Sequence, residues 1–214
     1  MGLLVRACRD FEITGRGENA QWAATDWVAL QKLDAGGKPY KSQFKMMYSP
    51  RGLYVLFYGE DDRISSSFEH DFEKIYMGDV FEVFFQTDSD QPCYFEYEIS
   101  PLGKELVLLM TTRDNVLTGW APWPYENADR VKRNVYVVGG DARPGAAITH
   151  WMAELHIPYR LLRTFGHVPP LKGTHWHGNF CRLDYDSGSM VKWAWAPVES
   201  SFHETDRYLP LVFE

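Results

Sequence analysis

The sequence is short of the features that define several common classes of protein. Lysine and arginine number 22 against 29 aspartates and glutamates, so the net charge is −7, which argues against the clustered basic surface of a nucleic-acid partner. No apolar run approaches the roughly 18–20 residues that span a membrane. A glycine-rich phosphate loop and the G-x-S-x-G motif of serine hydrolases are also missing. The sequence therefore predicts neither a nucleic-acid partner nor a membrane span.

Cysteine is scarce as well, with Cys8, Cys93 and Cys181 as the three examples. None stands in the C-x-x-C spacing of a metal site, and three cysteines cannot all pair. We expect buried free thiols, while a Cys93–Cys181 disulfide stays open if the protein is exported. The first residues, MGLLVRACRDF, are interrupted by Arg6 and Arg9 and do not predict a signal peptide.

Aromatic residues, in contrast, are abundant. The chain has 8 Trp, 12 Tyr and 13 Phe, which together make 15% of its residues. This is more than strand propensity requires and indicates rings that are exposed for contact. Residues 118–133 place Trp120 and Trp123 in a polar stretch with two prolines, which we interpret as a long loop that presents rings.

The centre of the chain predicts a β-hairpin with acidic side chains on one face. Residues 79–86 (DVFEVFFQ) and 93–100 (CYFEYEIS) alternate with period two, and the turn residues TDSDQP separate them. Antiparallel pairing gathers Glu82, Glu96 and Glu98, here called the glutamate cluster, on the face opposite the apolar core side. Tyr76 and Tyr94 lie close to this face in the sequence pattern.

The rest of the chain is typical of short strands without a linker or a repeat. The regions interpreted as containing strands are 10–14, 21–30, 42–49, 52–61, 79–86, 93–100, 105–112, 134–140, 146–158, 175–186, 191–197 and 208–213. Residues 158–166, from Pro158 to Gly166, predict one short helix. The sequence therefore predicts a single all-β domain over residues 1–214, an antiparallel β-sandwich of jelly-roll type.

Three kinds of chemistry remain open for the polar residues. Two members of the glutamate cluster could serve as the acid and base of a glycosidase, which needs carboxyls about 5–10 Å apart. A zinc site could use three histidines, His175, His177 and His203.

The third kind is a structural calcium site. Asp61, Asp62 and Asp79 lie in or beside loops next to the central hairpin. Carboxylate oxygens in such loops suit calcium, although no EF-hand spacing is present.

An ordered set of segments resembles a known family. The segments are GLYVLFYGED, IYMGDVFEVFF, YFEYEISPLGKE, WMAELHIPYRLL, GNFCRLDYD, WAWAPVESSFH and LVFE. Together they are similar to family 9 carbohydrate-binding-module-like domains, from about Asp10 to Glu214. The resemblance implies a β-sandwich that binds mono-, oligo- or polysaccharides such as xylan or glucan without catalysis, often with bound calcium. It also implies an extracytoplasmic or secreted location and a glycoside hydrolase as partner.

The resemblance implies a set of sugar-binding residues. Tyr76 stands before the D-x-x-E motif where the family usually has a Trp ring, Glu82 is the glutamate of that motif, and Trp195 belongs to the W-x-P segment. Glu98 is acidic where the xylanase-attached branch has a basic residue. Arg182 completes the predicted site, because charge-assisted hydrogen bonds to sugar hydroxyls are about twice as strong as neutral ones.

The sequence as a whole favours non-catalytic carbohydrate binding, with the sugar stacked on rings and hydrogen-bonded by carboxylate and arginine side chains. The first alternative is a glycan-active enzyme that uses the glutamate cluster. The second is a haem-binding electron-transfer domain, with Met77 and His203 as candidate axial ligands.

Overall fold

The computed structural model describes residues 2–114, 116–123 and 125–214. Within them the structure is mostly β, with one α-helix, α1, at Tyr159–Leu162. The strands are β1 Leu3–Ala7, β2 Val28–Ala29, β3 Gln31–Lys32, β4 Ser42–Tyr48, β5 Gly52–Glu60, β6 Val80–Gln86, β7 Cys93–Ile99, β8 Glu105–Arg113, β9 Val116–Pro122, β10 Lys132–Val138, β11 His150–Pro158, β12 His175–Asp184, β13 Val191–Ala194 and β14 Leu209–Phe213.

The strands form two sheets joined through β1. In the first sheet β12, β6, β7, β8 and β9 follow one another, and the other edge of β12 pairs with β14 and then β13. In the second sheet the order is β10, β11, β5 and β4. β1 pairs in parallel with both β14 and β4. The predicted strictly antiparallel sandwich is wrong in this respect, because the N-terminal strand runs in the same direction as both of its neighbours and makes the sheet mixed.

The two sheets pack face to face through aromatic side chains. Phe57 of the second sheet stacks on Phe81 of the first with ring centroids 4.6 Å apart, and Phe44 stacks on Phe180 at 3.7 Å. These rings belong to one continuous buried cluster that draws residues from both sheets. Burial of this apolar surface is the main contribution that holds the two layers together.

The outer face of the first sheet is also covered. Phe84 of β6 packs against Phe202 and Tyr208 at ring-centroid distances of 6.3 and 5.9 Å, and all seven residues of β6 are buried. Val198, Phe202 and Tyr208 of the covering segment belong to the same buried cluster as Phe84. A strand that is apolar on both sides is typical of a strand covered on both faces, so the glutamate cluster does not lie on an open sheet surface.

The predicted elements differ from the structure at several places. Strand β1 is not among the predicted strands, and residues 10–14 form no strand. β9 overlaps the start of the predicted loop 118–133, and the predicted helix is only one turn long. The hairpin of β4 with β5 and that of β6 with β7 are confirmed. All three cysteines are free thiols: Cys181 is buried, while Cys8 and Cys93 are half-buried. No helix in the described residues is long and apolar enough to cross a membrane.

Candidate functional site

A cavity of about 290 Å³ opens on the outer face of the first sheet. Strands β6, β7 and β8 supply its floor, and β9 and the segments around β13 supply its walls. Its lining residues are Tyr76, Glu82, Glu96, Glu98, Leu108, Met110, Leu117, Trp120, Leu183, Met190, Lys192, Ser200, Ser201, Phe202 and His203. Apolar walls around a few polar groups are typical of small-molecule sites.

Strand pairing brings the glutamate cluster together at the floor of this cavity. Glu82 lies directly opposite Glu98 across the β6–β7 ladder, and Glu96 lies two residues along β7 on the same face. Their exposed fractions are only 3% for Glu82, 4% for Glu96 and 1% for Glu98. The sequence prediction that these three carboxyls meet is confirmed in its pairing.

Burial controls the protonation of the glutamate cluster. It raises the pKa of Glu82 and of Glu98 well above the usual range, and the neighbouring carboxyls add to both shifts. Burial likewise raises the pKa of Glu96 to about 7. Glu96 and Glu98 are near enough to share a hydrogen bond when one of them is protonated. With both ionised, Glu96 Oε2 and Glu98 Oε2 have no donor within the protein.

The histidine at the cavity does not compensate these carboxyls. His203 Nδ1 lies 2.9 Å from the Tyr94 hydroxyl and 3.9 Å from Glu96 Oε2. Burial lowers the pKa of His203 to about 4, so its ring is neutral at neutral pH. A neutral imidazole offers a single N–H and no charge.

Aromatic and apolar side chains form the rim above the carboxyls. Tyr76 is half-buried and Trp120 is 48% exposed, whereas Phe202 is buried in the wall. The Tyr76 carbonyl accepts a hydrogen bond of 2.8 Å from the Tyr185 hydroxyl, which holds this segment against the sheet. The cavity therefore combines exposed ring surface at its mouth with carboxyl groups at its floor.

The structure brings three of the five predicted sugar-binding residues to this cavity and places two elsewhere. Tyr76, Glu82 and Glu98 line it. Arg182 is fully buried between the two sheets, and Trp195 packs on Phe44 and Phe180 in the core.

Strand alternation explains the displacement of Arg182. Its neighbour Cys181 is paired with Glu82 and shares the face of that residue, so the next residue along β12 must point to the opposite face. Gly59 of the second sheet leaves room for the guanidinium, because a Cβ at that position would lie 2.6 Å from Arg182 Nη1.

Sequence reasoning missed several residues of the cavity. His203 was considered only as a metal or haem ligand, and Met190, Lys192 and Phe202 were not considered at all. Among the residues of the cavity outside the predicted site, only Trp120 has a sequence signal, which is its position in a polar stretch. Trp123, three residues later, instead packs on Phe165 with ring centroids 5.2 Å apart.

A second group of acidic residues lies between the sheets. One carboxylate oxygen from each of Asp61, Asp79 and Asp184, here called the aspartate cluster, lies within 4.8 Å of the others. Arg182 Nη2 donates to Asp61 Oδ2 at 3.0 Å and to Asp184 Oδ2 at 2.7 Å. Asp62, predicted as a calcium ligand, is outside this group and pairs with Lys38 on the surface. Asp184, which the sequence did not predict as a ligand, takes the place of Asp62 in this group.

The aspartate cluster has the properties of a site for a hard divalent cation. Burial raises the pKa of Asp61 to about 9, against the opposing effect of Arg182, and burial and Asp184 raise that of Asp79 to about 7. Three carboxylates and one guanidinium leave excess negative charge in a buried place. Oxygen ligands with such a charge suit calcium, so the residues present fit this ion.

The other metal and haem candidates are not assembled in the structure. In the described part of the chain, His175, His177 and His203 do not form a group whose ligand atoms converge. Met77 is 64% exposed and is absent from the cavity lining.

Solved structures share the fold of this chain. A putative carbohydrate-binding protein from Bacteroides uniformis matches with a TM-score of 0.81 and 16% identity, over 99% of this chain and 98% of that one. A carbohydrate binding module of family 9 from Caldicellulosiruptor kristjanssonii, in complex with cellotriose, matches with a TM-score of 0.69 and 13% identity, over 99% and 93%. The same kind of module in complex with glucose gives 0.68 and 13%, over 99% and 95%. None of the curated proteins compared with the chain matches it.

A family model also matches this chain. The model of carbohydrate-binding family 9 matches residues 16–213, which is nearly the whole chain. This range includes strands β2 to β14, the glutamate cluster and the aspartate cluster. The chain therefore belongs to carbohydrate-binding family 9.

Proposed function

We propose that the chain binds a sugar in the cavity above the glutamate cluster and releases it unchanged. The observation that carries this proposal is the combination, in one cavity, of exposed rings at the mouth and three carboxyls at the floor. A pyranose has an apolar C–H face that packs on an aromatic ring and a rim of hydroxyls that need hydrogen-bond partners. The cavity offers both surfaces to the same ligand.

Tyr76 and Trp120 supply the ring surface in this proposal. Solvent-exposed Tyr and Trp rings give a large contact area and lose little side-chain conformational entropy on binding. Tyr76 is a smaller platform than a Trp at the same position would be. Trp120 on β9 adds surface from the other side of the mouth, so the sugar is held between the two.

The glutamate cluster supplies the hydrogen bonds. Because its pKa values are raised, protonated and ionised carboxyls coexist near neutral pH. A protonated carboxyl donates and an ionised one accepts, which matches hydroxyl groups that do both.

The cavity size favours a sugar residue at a chain end over a long flat polymer surface. Its volume of about 290 Å³ is at the lower end of the range for ligand pockets. The two Caldicellulosiruptor structures contain cellotriose and glucose, which makes glucans the first ligands to test, with xylans next. Cleavage of the bound glycan would come from a separate glycoside hydrolase.

The experiment is a calorimetric titration of glucose, cellotriose and xylotriose into the wild-type protein and two tryptophan variants. Trp120→Ala removes a ring at the cavity. Trp27→Ala is the matched control, because Trp27 is also exposed but packs on Tyr58 of the second sheet. Loss of one stacked ring costs about 1–3 kcal/mol, or roughly 5- to 150-fold in affinity.

The proposal requires that Trp120→Ala weakens binding while Trp27→Ala leaves it unchanged. Tyr76→Ala should weaken binding by a similar factor. If both tryptophan variants bind as the wild type does, the sugar lies elsewhere and the cavity assignment fails.

We also propose that the aspartate cluster binds calcium as a structural ion. Asp61, Asp79 and Asp184 would hold it, and its charge would offset their mutual repulsion. The ion would link the ends of β5, β6 and β12. It would lie on the opposite face of the first sheet from the sugar cavity.

A further inference from the structure

In the described residues, every buried acid outside the glutamate cluster has either a nearby protein cation or several hydrogen-bond donors. The glutamate cluster has neither. Eight aspartates and glutamates are buried in the described residues: Asp61, Asp79, Glu82, Glu96, Glu98, Glu105, Glu154 and Asp184. Glu105 pairs with Arg133 Nη1 at 2.5 Å, and the aspartate cluster contains Arg182. Glu154 accepts hydrogen bonds of 2.8 Å from the main chain of Thr14 and Gly15 and from the Trp22 indole.

No such cation pairs with the glutamate cluster in the described residues. In the described chain, no lysine or arginine nitrogen lies within 4.0 Å of its carboxylate oxygens, and the one nearby base is the neutral His203. Lys192 lines the cavity, but its ammonium lies 3.4 Å from the Ser200 carbonyl instead.

When Glu96 and Glu98 are both ionised, two oxygen atoms of the cluster are therefore left without a donor. Glu96 Oε2 and Glu98 Oε2 are buried and unpaired, in residues that are 4% and 1% exposed and line the cavity. An unpaired buried acceptor costs about 1–3 kcal/mol, and more when it is charged. Natural structures supply such partners from water, an ion or a ligand.

The geometry is unsuitable for a metal ion but suitable for an ammonium group. A metal needs one ligand atom from each residue to converge, and in the described chain the carboxylates that converge are those of the aspartate cluster. An ammonium group needs only two carboxylates as partners, and Glu96 and Glu98 are near enough to each other to flank it. A neutral hydroxyl offers one donor and leaves the charge of the carboxylates without an opposite charge.

We infer that the cavity prefers a sugar that carries a free, protonated amino group, with the ammonium placed on Glu96 and Glu98. This inference rests on the proposed function, because it names the class of sugar that the same cavity binds. The ligand provides the positive charge that Arg182 and Arg133 provide to the other buried acids. The apolar face of the same sugar ring then packs on the rim.

The test compares three trisaccharides of equal length and linkage by calorimetry. They are cellotriose, the β-1,4-linked trimer of glucosamine and the same trimer fully N-acetylated. The first two differ by a hydroxyl against an ammonium at C2, and the third removes the charge while keeping the nitrogen. We expect the glucosamine trimer to bind at least tenfold more tightly than either neutral trimer.

Two variants show whether the preference comes from the cluster. Glu98→Gln keeps the shape of the side chain and removes its charge, so the preference for the glucosamine trimer should fall at least tenfold. Glu199→Gln is the matched control, because Glu199 is exposed, stands beside the cavity wall and pairs with Arg207. It removes the same charge from the protein and should leave the preference unchanged.

The outcomes separate this inference from the proposed function. Equal or tighter binding of cellotriose overturns the inference and leaves sugar binding intact. A preference that survives in Glu98→Gln, or that falls equally in Glu199→Gln, also overturns it. If none of the three trimers binds, both the inference and the proposed function fail. Circular dichroism of each variant confirms that it is folded.

Discussion

The two buried acidic clusters lie on opposite faces of the same sheet and are compensated in different ways. The aspartate cluster faces the second sheet and contains Arg182. The glutamate cluster faces the cavity and has no protein cation in the described chain. Two groups of similar charge thus have different roles. The aspartate cluster is paired with an arginine inside the protein, whereas the glutamate cluster needs a partner from a ligand.

Their positions along the strands account for a second difference. Asp79 precedes β6 and Asp184 ends β12, so main-chain N–H groups of nearby loops are available to them: Tyr185 donates to Asp79 at 3.0 Å, and Asp186 donates to Asp184 at 3.3 Å. The glutamates stand within β6 and β7, where the ladder between strands uses the main-chain N–H groups. A carboxylate in mid-strand therefore needs donors from another segment, as Glu154 of β11 obtains from the main chain of Thr14 and Gly15.

The largest effect should come from removing the cation of the compensated cluster. Arg182→Met leaves the aspartates buried without an opposite charge, and breaking a buried pair in this way costs about 3–5 kcal/mol. Urea unfolding at pH 7 measures the loss of free energy of unfolding. Lys192→Met is the control at the other cluster and should change stability by less than about 1 kcal/mol. Equal losses in both variants would contradict the comparison.

Calcium should act on the aspartate cluster and leave the glutamate cluster unaffected. At a concentration 100 times its dissociation constant, an ion that binds only the folded state stabilises it by about 2.7 kcal/mol. Treatment with a chelator should therefore lower the melting temperature, and added calcium should restore it. Asp79→Asn should abolish the calcium response, whereas Glu82→Gln should keep it. A melting temperature that ignores calcium in the wild type would remove the ion from the proposal.

The smallest effect concerns the pH dependence of stability at the glutamate cluster. The folded-state pKa values there are raised, so the folded protein holds protons that the unfolded chain releases above about pH 4.3. Stability is then lost as pH rises from about 4.3 through about 7, the value to which burial raises the pKa of Glu96. Glu98→Gln should make this loss smaller, because it removes one of the groups that hold a proton in the folded protein.

Thermal unfolding between pH 5 and pH 8 checks this expectation. The aspartates also have raised pKa values, but they are present in both proteins, so the difference between wild type and Glu98→Gln isolates the glutamates. Glu199→Gln should follow the wild-type profile. The comparison fails if the Glu98→Gln profile is parallel to that of the wild type.

A large part of the fold was predictable because it depends on local patterns. Period-two alternation located β6 and β7 and the faces of Glu82 and Glu98, and apolar runs located β4, β5 and β8. The parallel pairing of β1 could not be read in this way, since its partners β4 and β14 are far away in the chain. β9 could not be predicted because its residues are largely exposed and include a glycine and a proline, so no alternation of apolar and polar residues marks it.

The candidate site was predictable to the same extent. Tyr76, Glu82 and Glu98 follow from a hairpin and its flanking turn. The chemistry of its side chain predicts Arg182 as a sugar ligand, and the W-x-P segment of the family resemblance predicts Trp195. Neither signal tells which face of the sheet a side chain occupies. The sequence indicates Asp61 and Asp79 as acidic loop residues. Asp184 joins Asp79 through the pairing of β12 with β6, and the packing of the two sheets brings Asp61 to both.

The sequence alone determined the β architecture, the pairing of the central hairpin and the meeting of three carboxyls, because alternation and turn residues act over a few positions. Tertiary structure decided which buried acids obtain a cation, since Arg182 reaches Asp61 across the interface between the sheets. It also decided that the glutamates lie under a cover with Trp120 and His203, which come from distant segments. Local preferences set the faces of each strand, and only the packing of distant segments sets what each face meets.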